Sequence, residues 1–238
     1  MRKGYAFCTF VAGLGAVALI SASLGTETWA VLDIQRSNSS SNPCDVKRQL
    51  GLFNGIDDYQ TGRQCLTTGT EEYNVYSDEE VTLRINSGIL YAVIALSVVA
   101  ILCGLFATAV AGYNLFDRPY ETWAGPFGLL AYFTTGFIFD LVAVLMYVIY
   151  GSTDILENTL PKECESGICT DEGWEQTGGV FGYSLYLLIA SMGVFILGIV
   201  LVFLSGKQIK KRLKQKFCPT SPEVEEEMEE KNKDVMIF

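Results

Sequence analysis

Histidine is missing from all 238 residues. That removes the imidazole general base and the commonest metal ligand, so His-dependent hydrolase chemistry and His-bearing zinc sites are excluded. Charge is scarce as well, at 18% of residues against 50% hydrophobic, a balance shifted from soluble domains towards lipid. The scarcity is concentrated: residues 4–26, 85–116 and 177–206 hold no charged side chain. A phosphate-cradling glycine loop and an intramembrane carboxylate pair are absent too. The chain therefore offers no catalytic residue, no cofactor site and no metal site, and reads as a non-enzyme.

What is present is apolar length. Four runs, 5–24, 89–111, 127–150 and 180–204, match the ~20 residues that a helix needs to cross a bilayer. The expected fold is an all-α membrane protein, a four-transmembrane-helix bundle. Its connecting segments are 1–4, 25–88, 112–126, 151–179 and 205–238. The net charge of -10 is segregated among them. Segment 25–88 carries ten acids against Arg36, Lys47, Arg48, Arg63 and Arg84, and segment 151–179 carries seven acids against Lys162. Cations cluster at Arg2, Lys3 and between Lys207 and Lys216. The positive-inside rule then places both termini and 112–126 in the cytosol, with 25–88 and 151–179 outside, as in a multi-pass plasma-membrane protein. Arg2 and Lys3 before an apolar run, with Ser21-Ala22-Ser23 after it, also outline a signal peptide, but 20 uninterrupted residues exceed the usual h-region.

Segment 25–88 has β-prone stretches at Trp29 to Ile34, Gly51 to Phe53 and Tyr73 to Tyr76, with turn signals at Asn54-Gly55 and Thr68-Gly69. They predict a small antiparallel extracellular β-sheet resting on the helix ends. So small a sheet buries little core alone, and a disulfide staple is expected. Four of the seven cysteines, Cys44, Cys65, Cys164 and Cys169, fall in the outer segments. Three connectivities are open; pairing within each loop is the simplest, and closing Cys44 to Cys65 is worth about 3 kcal/mol in the entropy account. Asn38-Ser39-Ser40 is an N-glycosylation sequon in a Ser/Asn-rich stretch.

In the second run Ala100, Gly104, Thr108 and Gly112 recur every four residues, a smooth ridge for a neighbouring helix or for a second copy in a homo-oligomer. Asp140 is the one ionisable acid or base inside a run. Such an acid either lines a pathway or sits hydrogen-bonded against a polar group such as Thr108 or Ser191. After the fourth run, Ile209, Leu213 and Phe217 repeat every four residues among six cations from Lys207 to Lys216, a pattern suited to anionic cytosolic-leaflet lipids at about 1 kcal/mol per cation. Cys218 follows as a palmitoylation candidate. Six Glu between Glu223 and Glu230 form an acidic tail. Met236 and Phe238, at the third-last and last places, suit strand addition to a PDZ-type groove that captures the terminal carboxylate.

The hinge between the second and third runs is the most particular wording in the chain. Tyr113-Asn114, Pro119-Tyr120-Glu121-Thr122 and Gly125-Pro126-x-Gly128 stand where the chain must reverse, and its prolines forbid one continuous helix. This order resembles the segment after the second span of the clarins. Leu24-Gly25-Thr26-x-x-Trp29, Gly51-Leu52-Phe53-x-Gly55 and Arg63-Gln64-Cys65 are similar to further clarin motifs, and Ile237-Phe238 resembles the family's apolar-plus-aromatic end. The resemblance implies a claudin-like tetraspan with a sheet on its first loop and a non-enzymatic role in organising membrane and cytoskeleton. The Glu-rich tail and the Cys164 to Cys169 clip depart from that pattern. The function expected is a scaffold for membrane partners and cytoskeleton at the plasma membrane. An ion channel or channel-modulating subunit, or a claudin-like cell-contact protein, are the alternatives. No nucleic-acid partner is indicated.

Overall fold

The computed structural model describes residues 3–36, 44–59, 69–76, 87–116, 125–155, 163–165, 168–170 and 174–217. Four long helices dominate: α1 (Lys3–Gly25), α2 (Ser87–Phe116), α3 (Pro126–Tyr150) and α4 (Tyr183–Phe217). All four are long and apolar enough to cross a membrane, and about a third or less of each apolar window is buried within the protein. The rest of their surface is side chains such as Leu102, Phe106, Ile149 and Phe203, all exposed. Water would not tolerate so much contiguous apolar surface; hydrocarbon does. The chain is a multi-pass membrane protein.

The helices pack in ring order, α1 on α2, α2 on α3, α3 on α4 and α4 back on α1. Close approach is set by small residues, as lipid-immersed helices require. A Cβ on Gly104 would stand 2.8 Å from a Val17 methyl, and Gly13 lies directly against the Thr108 hydroxyl. Gly112 faces the Phe10 ring, and Ala100 is buried. The ridge of α2 is thus occupied by α1 of the same chain.

The sheet sits at the end where α1 and α3 finish and α2 and α4 begin. Its strands are β1 (Ala30–Arg36), β2 (Cys44–Leu50), β3 (Asn54–Tyr59), β4 (Gly69–Asn74) and a last strand, β7 (Trp174–Phe181). The order is β4-β3-β2-β1-β7, antiparallel throughout. The segment before α4 therefore completes the sheet that the segment before α2 begins, and the sheet is not confined to the first loop. Val180 and Phe181 lie on β7, so α4 starts at Tyr183. A two-stranded hairpin, β5 (Glu163–Glu165) with β6 (Ile168–Thr170), stands apart from it.

Alternation decides which face is inward. Ala30, Leu32 and Ile34 are buried while Asp33 is exposed, and Val46, Arg48 and Leu50 are buried while Lys47 is exposed. The register sets Ala30 against Leu50, Leu32 against Arg48 and Ile34 against Val46, so these six share one face. That face joins one core with Leu90 of α2, Tyr147 and Tyr150 of α3, and Ile155 in the π-helical turn Gly151–Ile155. One irregularity adjusts the edge: the β1/β7 register shifts at Asp33/Ile34, leaving Thr177 as the bulged residue, whose hydroxyl donates to the Asp33 carbonyl at 3.0 Å.

Candidate functional site

The junction between sheet and bundle is built on Trp29. It follows the end of α1, is fully buried, and packs edge-to-face on Tyr147 of α3 at 4.7 Å between centroids. Its indole N–H donates to the Ser23 carbonyl at 2.9 Å, joining the Thr26 hydroxyl at 3.0 Å and the Thr26 N–H at 3.4 Å on that helix-end carbonyl. Its backbone is held on both sides: the Trp29 N–H donates to Leu50 O and the Gly182 N–H donates to Trp29 O, each at 2.9 Å. The neighbouring hydroxyls extend the lock. Ser23 Oγ donates to the Ser184 carbonyl at 2.7 Å, and Thr26 Oγ1 lies 2.7 Å from Ser184 Oγ. Trp29 thus ties α1, α3, β2 and the start of α4 at one point.

The other short motif in this region also has a geometric cause. Gly51 opens the β2–β3 turn, where its N–H donates to Asn54 O at 2.9 Å, and a Cβ there would stand 2.5 Å from Asn54 O and 2.9 Å from Glu27 Cα. Leu52 is buried and Phe53 exposed. Gly55 lies beneath the Tyr73 ring. Gly51 to Phe53, predicted as strand, is therefore the turn itself. Asn54-Gly55, predicted as a turn, begins β3.

On the inward face Arg48 and Asp57 stand opposite each other in register. Arg48 Nε donates to Asp57 Oδ1 at 2.8 Å and a terminal nitrogen to Oδ2 at 2.6 Å, both side chains being nearly buried. Tyr73 supplies an aromatic ring 5.4 Å from the guanidinium carbon. This two-pronged pair was not singled out among the loop charges. Its signal was the alternation Val46-x-Arg48-x-Leu50, which puts an arginine on the apolar face.

In mid-bundle, Asp140 is fully buried. Its Oδ2 is hydrogen-bonded to the Ser191 hydroxyl of α4; Thr108 instead donates to the Gly104 carbonyl at 2.8 Å. Ser191 Oγ also lies 2.6 Å from the Leu188 carbonyl. Asp140 Oδ1 has no hydrogen-bond partner among the described residues.

At the opposite end α2 closes with Tyr113 exposed and Asn114 buried. Pro126 occupies the first turn of α3, where its missing N–H costs nothing, and Gly125 and Gly128 are buried. Pro119, Tyr120, Glu121 and Thr122 lie outside the described residues, as do Asn38, Cys65, Cys218, Met236 and Phe238. Cys44 begins β2 opposite Arg36. Cys164 and Cys169 are direct partners in the β5/β6 register. Backbone geometry continues α4 through Phe217, so positions 207–217 prolong the fourth span as helix.

No protein-family model matches the chain. Similarity to individual proteins is extensive. Rat Clarin-3 is 26% identical over 182 residues, 76% of either chain. Human Clarin-3 is 24% identical over 217 residues, 90% of this chain and 92% of the relative. The chain is a relative of the clarins. Mouse Clarin-3 adds 24% identity over 209 residues, 87% of either chain. A clarin-like tetraspan with a small antiparallel sheet is what the four helices and the strand order describe. The clarin-like words around Trp29 and Gly51 meet at the sheet–bundle junction, although they are more than twenty residues apart in sequence.

Proposed function

We propose that this chain is a non-enzymatic clarin-like tetraspan that organises membrane partners and cytoskeleton at the plasma membrane, with the sheet outside and both termini in the cytosol. The observation that carries the reading is β7. By pairing with β1 it makes one platform from two loops, and Trp29 couples that platform to the bundle. A rigid platform on one side, joined through four helices to a charged helical extension on the other, is the build of a scaffold.

The finer features fit that role. Positions 209, 213 and 217 fall on one face of the prolonged α4, and the six cations between Lys207 and Lys216 would bind an anionic cytosolic leaflet. Cys218 would add an acyl anchor there, and Met236 with Phe238 would dock a PDZ-type scaffold. Outside, Asn38 would carry glycan. Cys164 and Cys169, opposite in register, would clip the β5/β6 hairpin, and Cys44 would bond to Cys65. With the α2 ridge occupied within the chain, a homo-oligomer would need a different face.

Proximity labelling from the C-terminus in polarised cells tests the proposal. Cortical cytoskeletal and PDZ-domain proteins should be enriched over an inert four-span control, and addition of one residue after Phe238 should remove the PDZ group. A labelled set identical to the control overturns the reading. The channel alternative draws on one observation, that Asp140 Oδ1 has no partner among the described residues. Patch recording of cells expressing the chain, alone and with candidate channels, decides it: a current altered by Asp140→Asn would establish that alternative, and unchanged conductance would eliminate it.

A further inference from the structure

Where α1 ends, its last turn and the β2–β3 turn form a cleft of 280 Å³, lined by Leu24, Gly25, Thr26, Glu27, Leu52, Phe53 and Asn54. Three properties of this wall select a ligand. Its one charged side chain is an acid, and the cleft lies at the carbonyl end of a long helix, which carries partial negative charge. It presents an aromatic ring: Phe53 is 44% exposed although the adjoining Leu52 is fully buried. That ring is held on a fixed turn, pinned by Gly51 N–H to Asn54 O and Val75 N–H to Phe53 O, both at 2.9 Å. The cleft also sits at the last turn of a membrane-crossing helix, the depth of lipid headgroups.

We propose that this cleft binds the choline group of a phospholipid, with Phe53 and Glu27 as the recognising side chains. A trimethylammonium has no N–H to satisfy and is recognised by aromatic faces and nearby negative charge. A lysine ammonium keeps a tight water shell and calls for hydrogen-bond acceptors on several sides; here Leu24, Leu52 and Phe53 offer none, and the Thr26 hydroxyl is already engaged with Ser23 O and Ser184 Oγ. The volume, below the range for drug-sized ligands, suits a headgroup rather than a whole lipid. The acyl chains would then run down the flank of α1, where Val11 and Leu14 are exposed. The proposal needs the sheet end to lie at a membrane surface. It is independent of which surface that is and of the scaffolding role, so its failure and theirs are separable.

The full chain in nanodiscs of equal phosphatidylcholine and phosphatidylglycerol tests it, with native mass spectrometry reading the lipid retained after gentle stripping. Wild type should retain phosphatidylcholine over phosphatidylglycerol by roughly tenfold, and choline chloride should displace it. The exposed positions permit Glu27→Gln and Phe53→Leu without loss of fold, checked by elution profile and unfolding temperature. Each should reduce the preference, and Glu27→Lys should reverse it. Equal retention of the two lipids by wild type overturns the proposal, as does a preference that survives in the Glu27→Gln/Phe53→Leu double variant or that choline chloride fails to displace.

Discussion

The Phe133 ring of α3 fills the notch left by Gly198 of α4, closer than any added Cβ would permit. One contact of the same kind runs the other way, for a Cβ on Gly136 of α3 would stand 2.7 Å from the Phe195 ring of α4. The two rings meet edge-to-face at 6.3 Å, and both are fully buried. Gly198→Ala should therefore destabilise the bundle by about 1–3 kcal/mol through overpacking, although alanine is the better helix former. Thermal unfolding in detergent should show it, and Gly193→Ala, where nothing stands within 4 Å of the new methyl, should be neutral. Equal effects at the two glycines would refute the packing explanation.

Much of this bundle was legible beforehand, because apolar runs of bilayer length, interrupted by a single charge at Asp140, have one physical explanation. The sheet was legible in part. Trp29 to Ile34 alternates and is a strand. Asn54-Gly55 misled, since Gly55 is small to admit the Tyr73 ring and not to make a turn. Strand β7 was hidden for two reasons: its pairing with β1 spans most of the chain, and Val180 and Phe181 at its end read as the start of the fourth apolar run. The Arg48–Asp57 pair was equally unreadable as a pair, because partner choice depends on the β2/β3 register.

Trp29 allows its ring and its N–H to be separated. Trp29→Phe keeps an aromatic ring against Tyr147 and loses one bond to Ser23 O, which retains the Thr26 hydroxyl at 3.0 Å, so it should cost about 0.5–1.5 kcal/mol, the net range for one hydrogen bond. Trp29→Ala also loses the packing and should cost about 3–5 kcal/mol. Surface delivery in cells should rank wild type, Trp29→Phe, Trp29→Ala. If alanine is tolerated as well as phenylalanine, Trp29 does not hold the junction.

Tyr76 stacks on Tyr91 with centroids 4.6 Å apart. Burial, and then the neighbouring Tyr91, push its phenol from 10.0 up to about 12. A group raised in the folded state releases its proton later there than in the unfolded chain, so its contribution is intact below pH 10.0 and is lost as the pH climbs towards about 12. Alkaline unfolding should begin in that window, and Tyr76→Phe should make stability flatter across it. An unchanged pH profile in the variant would assign the alkaline loss to other groups.

The Arg48–Asp57 pair gives the sharpest test of the inward face. Removing one partner strands the other as a charge between sheet and helices, so Arg48→Met or Asp57→Leu alone should cost about 3–5 kcal/mol. The double variant strands nothing, and replacing a buried ion pair by apolar side chains is often close to neutral. A double-mutant cycle in thermal unfolding should therefore return most of the loss. Additive losses would mean that the two side chains contribute separately, Arg48 through its stack on Tyr73 at 5.4 Å and Asp57 through some other contact. Recovery would instead show that the pair adds little net stability over apolar side chains of similar size.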